Sequence, residues 1–520
     1  MLLSCGIELF RPVLRLGRRP VRRTGPTLVA EGGRVLGALR DDALVVVAAV
    51  LPLSLYLLRE HAIAGAAGFP LDDSWIHLQF ARNLAEGAGF AYNPGVPVAG
   101  STAPLWTLLL GAAVRVGGAQ LWVAKLLGIA CTLVAALLTR RLALALGAER
   151  AAARVAGVAL LWAGPVAWGA LAGMEVSLAA LLVAAALLAH ARDLTGGTAL
   201  LAALAVLARP ESAVLVPLLL LARPVTGGRA AIFVGVTLVV LAPAVCFSLV
   251  TAGTPVPATA AAKIEGGLLG WLAGVREPLG RALLGRPWQF FGEWVAWLWL
   301  TNWLLPVLLP SVLVLTWWRG GRTWIWPAAA LALHPFAMAL LAPFRGPGFQ
   351  EGRYSIELLP LGLGLLWGLT ARRGVTLRVL YLAVALGLLV PASARYAWGV
   401  QNINAMQVRI GHWVAGHTPL GARLAVNDIG AIAFVSRRPV IDLMGLVTPA
   451  IRPYRRAGEA GIIRYVEETC PEYLVIFPAW FPRLAAMPDR YRAVYQVHLD
   501  RNEVAGADTM VVYQRVRCAL

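Results

Sequence analysis

The sequence predicts an α-helical polytopic membrane protein with a small α/β domain at its C-terminal end. Of its 520 residues, 59% are hydrophobic and only 14% charged, where soluble domains carry roughly a quarter charged. The apolar residues gather into long runs separated by short packets of arginine, as in chains that cross a bilayer repeatedly. From residue 396 onward the pattern changes to short β-branched runs alternating with amphipathic stretches, which reads as an independent α/β core. The net charge of +19 is spread along the chain rather than clustered on one polar module, which excludes nucleic acid as the partner.

Residues 1–41 carry Arg11, Arg15, Arg18, Arg19, Arg22 and Arg23 and read as a basic cytoplasmic leader. The first span is expected near 42–58, so the acidic loop 59–119 faces outward. Within that loop, 104–117 is too short to cross and is taken as a helix lying in the interface. Counting it as a span would strand Arg140, Arg141, Arg150 and Arg154 outside. Spans then follow near 120–138, 155–172, 175–191 and 230–251. Between the last two, short runs at 197–208 and 211–222 meet at Arg209-Pro210-Glu211. A Trp-rich outer loop at 252–300 precedes spans near 301–318, 323–342, 356–371 and 377–393. The total is about eleven, an odd number, and it puts the tail opposite a cytoplasmic N-terminus. The expected division is a leader at 1–41, a membrane domain at 42–395 and an extracytoplasmic α/β domain at 396–520. In the tail, strands are expected at 423–427, 439–442, 473–477, 491–497 and 509–514, and helices near 404–416 and 458–469. Cys470 and Cys518 both fall there, and an oxidising compartment would let them pair.

In so apolar a chain, each outward-facing polar residue is a candidate for chemistry, because a charge at mid-bilayer costs roughly 2.5–3.5 kcal/mol. Asp72 and Asp73 lead. One of them capping the helix that follows is a purely structural alternative, but a cap needs one carboxylate and His77 stands nearby. A shielded carboxylate serves as general base toward a sugar hydroxyl, and a phosphate leaving group needs cations rather than an acid partner. The cations expected on the outer side are Arg82, Arg209, Lys263 and Arg353. Arg209-Pro-Glu211 is an ion-pair-capable joint between two half-length helices. Glu175 follows Gly173-Met174, and Tyr354 follows Arg353. No Gly-rich phosphate loop, metal-ligand spacing or Ser-His-Asp grouping is present, so nothing points to a sugar nucleotide or ATP.

The order Asp72-Asp73, Ala81-Arg-Asn-Leu-Ala-Glu-Gly-Ala-Gly-Phe-Ala-Tyr-Asn-Pro-Gly95, Gly100-Ser-Thr-Ala-Pro-Leu-Trp106 resembles the GT-C class of polytopic glycosyltransferases. The nearest likeness is to its arabinofuranosyltransferase-like and mannosyltransferase-like branch. Gly173-Met-Glu175, Arg209-Pro-Glu211, Gly352-Arg-Tyr354, Asn427-Asp-Ile-Gly-Ala-Ile-Ala-Phe and Val440-Ile-Asp-Leu-Met-Gly-Leu446 extend the likeness over nearly the whole chain after residue 40. One departure is Pro257-Ala-Thr259, where that branch carries Pro-Asn-Thr. The resemblance implies an inverting transferase with a polyprenyl-phosphate-linked sugar as donor and Asp72 or Asp73 as base. It also implies an extracytoplasmic glycan, lipid or protein as acceptor and a place in the cytoplasmic (inner) membrane among its lipids. Substrate contacts are expected from His77, Arg82, Glu175, Arg209, Glu211, Lys263, Arg353 and Tyr354. No cofactor is implied with certainty, and the paired aspartates leave a divalent metal open. The alternative is a transporter or lipid-linked-sugar flippase, which calls for repeated halves and mid-span ionisable groups; no repeat is visible.

Overall fold

The structure, a computed structural model, describes residues 28–370 and 374–518. Most of the basic leader, with Arg11 to Arg23, lies outside the described residues, as do Arg372 and Arg373. The chain falls into a short N-terminal unit ending at Ala43, helical where it is described, and one unit from Leu44 onward.

The second unit is mostly helical, because the apolar runs have no polar partner for their backbone other than themselves. Five helices are long and apolar enough to cross a bilayer: Leu36–Ala64, Leu121–Ala145, Gly227–Ala252, Leu305–Leu341 and Val375–His417. A sixth span results if Arg150–Leu161 and Gly164–Leu171, bent by 57° at their joint, count as one. Length and composition therefore supply five or six spans among the described residues, against the expected eleven. The difference lies in interrupted runs. Val176–Ala191, Thr195–Ala208 and Pro210–Leu221 are each short, the last two being separated at Arg209-Pro210. Leu359–Leu369 is only 11 residues long and is buried along its whole length. It packs so closely on Leu121–Ala145 that a Cβ at Gly364 or Gly368 would meet Leu142 or Leu146 at 2.6 Å.

Val375–His417 runs 43 residues without a break, so the chain passes residue 396 inside a helix rather than through a linker. Beyond it lie five strands: β1 (Leu424–Val426), β2 (Val440–Asp442), β3 (Tyr473–Ile476), β4 (Tyr491–His498) and β5 (Thr509–Arg515). All five fall where the β-branched runs predict them. Their order is β2-β1-β3-β5-β4, parallel from β2 to β3 and antiparallel from β3 to β4. One side of the sheet packs on Ile462, Val466 and Leu484. The other shares a core with Met406, Ile410 and Val414 and with Ile76, Phe80, Tyr92 and Val98 of the acidic loop. Cys470 and Cys518 are joined by a disulfide, with their Cα atoms 5.8 Å apart.

Candidate active site

The two aspartates open the helix Asp72–Ala85, whose N-cap residue is Leu71 in an extended conformation. Adjacent helical residues point roughly 100° apart, and the pair accordingly splits. Asp72 is buried, and both its carboxylate oxygens accept backbone N–H groups, from Gly430 at 2.6 Å and Ala431 at 2.8 Å. Asp72 thus caps not its own helix but the start of Gly430–Ser436 in the tail. A glycine is needed at 430, since a Cβ there would lie 2.1 Å from the Asp72 backbone oxygen. Asp428 stands beside this clasp and accepts from Gln407 Nε2 at 2.6 Å. With two acids so close and little water, the pair keeps a proton above the ordinary carboxylate range. Burial and the neighbouring Asp428 push Asp72 up against the pull of its two N–H donors, and Asp428 is pushed up to about 6 by burial and by the nearby Asp73 and Asp442.

Asp73 faces the opposite way, with its side chain 31% exposed. Arg353 Nη1 donates to its Oδ2 at 2.8 Å, and Lys263 Nζ lies 3.9 Å away. Burial alone would raise the Asp73 pKa. The charges of Lys263 and Arg353 and the Arg353 hydrogen bond override it and hold the carboxyl down to about 2. Arg353 also donates to Gln350 Oε1 at 2.7 Å. It is delivered by three successive left-handed residues, Gln350 (φ 48°), Glu351 (φ 59°) and Gly352 (φ 75°). Side chains hold this turn from both ends. Trp297 Nε1 donates to the Glu351 carbonyl at 2.9 Å, and Arg395 donates to the Glu351 carboxylate at 2.7 and 3.1 Å. Strained backbone of this kind persists where the surroundings over-determine it, and it concentrates at functional sites.

A second polar chain runs into the same place. His77 lies 3.2 Å from both Thr107 Oγ1 and Glu175 Oε2. Glu175 accepts from Arg209 Nη1 at 2.5 Å, and Arg209 Nε donates to Glu211 at 3.2 Å. The Arg209 and Arg353 guanidinium carbons both lie against the Tyr354 ring, 4.8 and 5.3 Å from its centroid. Eight of the predicted residues, Asp73, His77, Glu175, Arg209, Glu211, Lys263, Arg353 and Tyr354, are therefore tied into one cluster. Arg82 is not among them. It donates to Phe434 O at 2.8 Å and to Gln79 at 2.5 Å, and its guanidinium covers the Phe434 ring, so it fastens loop to tail. Arg82 therefore stands apart from the cluster, held between Gln79 of its own helix and Phe434 of the tail.

Sequence reasoning missed Gln350, which orients Arg353, and Phe344, whose ring lies 5.4 Å from Lys263 Nζ. It also missed the place of Asp428 beside Asp72, although the motif Asn427-Asp-Ile-Gly was conspicuous. Among the described residues no group of three or more His, Cys, Asp or Glu is placed to hold a metal ion. A groove of about 460 Å³, lined by Phe290, Trp297, Leu300, Phe344, Arg345 and Phe349, adjoins the cluster. Phe344 joins it to Lys263, and Phe349, stacked on Tyr354, joins it to the arginines.

No curated protein sequence matches the chain. A family model described as "Domain of unknown function (DUF8728)" matches residues 401–513, the tail. Among solved structures, the chain is similar to ArnT from Cupriavidus metallidurans in the apo state, at 14% identity over 89% of this chain and 97% of that one, with a TM-score of 0.53. It is also similar to the archaeal oligosaccharyltransferase AglB from Archaeoglobus fulgidus in complex with an inhibitory peptide and a dolichol-phosphate. There the identity is 11% over 89% and 73% of the two chains, with a TM-score of 0.56. The chain has the GT-C fold. A second ArnT structure, bound to undecaprenyl phosphate, matches at 15% identity over 89% and 97% of the chains with a TM-score of 0.50. On this GT-C scaffold the cluster is assembled from the acidic loop, the Arg209 turn, the 258–263 segment and the left-handed turn before Arg353.

Proposed function

We propose that this GT-C chain is an inverting glycosyltransferase that moves a sugar from a polyprenyl-phosphate donor to an extracytoplasmic acceptor, with Asp73 as the general base. The observation that carries the reading is one carboxylate held between Arg353 and Lys263, 2.8 and 3.9 Å away, next to a groove with an aromatic wall of Phe290, Trp297, Phe344 and Phe349 and with Gln289, Glu293 and Arg345 as its polar lining. The groove suits an isoprenoid chain and the cations suit its phosphate. ArnT and AglB have been seen with undecaprenyl phosphate and dolichol-phosphate, which supports a donor of that class.

The chemistry follows from competition for the same cations. In the free protein Arg353 and Lys263 neutralise Asp73 and make it a poor base. A donor phosphate that pairs with them frees the carboxylate, whose proton affinity then rises. Asp73 takes the proton of an acceptor hydroxyl, and the hydroxyl oxygen attacks the anomeric carbon. The bond from that carbon to the phosphate oxygen breaks, and the phosphate leaves with its charge on the two cations. Attack opposite the leaving group inverts the anomeric centre. Arg209, held by Glu175 and Glu211, supports Arg353 through the shared Tyr354 ring, and His77 steadies Glu175. In this reading Asp72 is a positioning residue and not the base.

We further take the chain to cross the cytoplasmic membrane about eleven times, the short helices completing one another's spans. The leader 1–41 is inside, the membrane domain is 42–395, and residues 396–520 lie outside. The Cys470–Cys518 disulfide supports that placement, because such bonds persist in oxidising compartments. The test is mass spectrometry of lipids co-purifying with the protein, then transfer assays with the sugar phosphate so found. Polyprenyl-phosphate sugars are expected to co-purify with the wild type and to be depleted in Lys263→Ala with Arg353→Ala. No transfer from any polyprenyl-phosphate pentose or hexose would overturn the reading.

A further inference from the structure

A second cavity, apart from the groove beside Tyr354, is a cleft of about 810 Å³ between segment 254–275 and the tail, and nothing in the transfer mechanism above uses it. On the tail side stand Arg452, Arg455 and Arg456, and the one acid in the lining is Glu265. Three guanidinium groups against one carboxylate leave a surplus of positive charge facing the cleft. The opposite wall is greasy, formed by Ile264, Leu269, Leu272 and Val275 among others.

Two features give the cleft a direction. The short helix Gly267–Leu272 leaves Leu268, Trp271 and Leu272 exposed at 49%, 67% and 66%. An exposed Trp beside leucines is the composition of the headgroup layer, so the apolar lip opens toward lipid. The cleft runs along the segment that carries Lys263. Ala262 and Ile264 line it, while Lys263 between them points to Asp73. Arg455 donates to Met444 O and reaches Ala262 O at 3.4 Å, and Arg452 donates to Ala252 O. The arginines thus stitch the tail to the very segment that carries Lys263.

Resting on the transferase reading above, we propose that this cleft holds the acceptor, and that the acceptor is an anionic lipid. Its headgroup phosphate pairs with Arg455 and Arg456, its chains lie against Ile264, Leu269 and Leu272, and its sugar or glycerol hydroxyl extends past Lys263 to Asp73. A soluble glycan would leave the apolar wall uncovered, and an uncharged lipid would leave the excess of arginine over Glu265 in the lining unmatched.

The test uses the full chain in phosphatidylcholine nanodiscs, titrated with dihexanoyl phosphatidic acid, dihexanoyl phosphatidylcholine, inorganic phosphate and dextran sulfate. Phosphatidic acid is expected to bind, and the other three not to compete with it at equal concentration. Arg456→Glu, at an exposed position, should weaken binding by about tenfold or more, the effect of one lost charge-assisted contact. Arg455→Ala should do the same, with thermal unfolding measured alongside because that side chain also bonds backbone. In transfer assays Arg456→Glu should raise the KM for a lipid acceptor more than that for the donor. Equal binding by wild type and Arg456→Glu, equal binding of the two lipids, or tighter binding of dextran sulfate or free phosphate would each overturn the proposal. Binding is read without turnover and Asp73→Asn should retain it. Loss of the transferase reading and loss of the lipid site are therefore distinguishable.

Discussion

Replacing Asp73 with Asn separates base catalysis from donor binding. The amide keeps an oxygen where Arg353 Nη1 donates at 2.8 Å, and Arg353 retains Gln350 and the Tyr354 ring. The fold therefore loses one charge from a pair whose acid is 31% exposed, and we expect a destabilisation of about 1–2 kcal/mol, below the 3–5 kcal/mol of a fully buried broken pair. Proton transfer is lost outright, and a positioned base contributes about 10²–10⁴ in rate. Donor affinity should move the other way. In the wild type a donor phosphate must displace the Asp73 carboxylate from Arg353 and Lys263, whereas in the variant no anion competes with it for the two cations. Transfer is followed with purified protein in nanodiscs and the co-purifying sugar phosphate, under single and multiple turnover. The expected result is a kcat lower by about 10²–10⁴-fold with donor KM unchanged or reduced. A kcat within about threefold of wild type, or a KM rise that accounts for all the loss, would refute the assignment.

Arg353→Lys keeps one charge but cannot bond Asp73 and Gln350 from one planar group while lying on Tyr354, so donor KM should rise about tenfold or more; an unchanged KM removes Arg353 from the phosphate site. Asp428 is pushed from 3.8 up to about 6, so the folded chain holds that proton more tightly than the unfolded one. Its stability contribution is present below about pH 4 and lost as pH rises to about 6. Because the side chain is partly exposed, Asp428→Asn should gain about 1–2 kcal/mol at pH 8 and flatten the Tm profile between pH 4 and 6; an unaltered profile assigns the proton elsewhere. Gly430→Ala forces a Cβ to within 2.1 Å of the Asp72 backbone, so both Tm and transfer should fall, at a cost of about 1–3 kcal/mol, and a fully active, fully stable variant would deny the clasp. Cys470→Ser opens a link between residues 48 apart and should destabilise the tail by about 2–4 kcal/mol, with no further loss in the double variant Cys470→Ser/Cys518→Ser; an additional loss would show that the cysteines act separately.

Much of the polar cluster was legible because the chain is so apolar. His77, Glu175, Arg209 and Arg353 stand out in a sequence only 14% charged, and polar groups in such surroundings must find one another or water. Which of two neighbouring aspartates faces the cations was not legible. That choice depends on a helical rotation of roughly 100° and on a helix start at Gly430, some three hundred and fifty residues away. The contact of Arg82 with Phe434 O was not legible for the same reason, since Phe434 belongs to that distant helix. The strands of the tail followed from local β-branched runs, which carry their own signal. Helix length alone supplies five or six spans, because the run near 155–172 is bent before Gly164 and the runs on either side of Arg209-Pro210 are each short.

The same long-range contacts explain why the tail is more than an appendage. Tyr92 Oη donates to Ile429 O at 2.8 Å, Asn93 exchanges hydrogen bonds with the Val440 backbone, Arg82 holds Phe434, and Asp72 caps Gly430. Phe80 and Tyr92 meanwhile complete the apolar face of the sheet alongside Leu424 and Val475. Take the tail away and the first helix of the acidic loop loses the N–H donors that hold Asp72, the carbonyl that anchors Arg82 and part of its core. Asp73 is the next residue after Asp72, so its position relative to Arg353 and Lys263 is inherited from a contact made on the other side of the same turn. The membrane half supplies the cations through Arg353 and Lys263, and the tail sets the angle at which the carboxylate meets them.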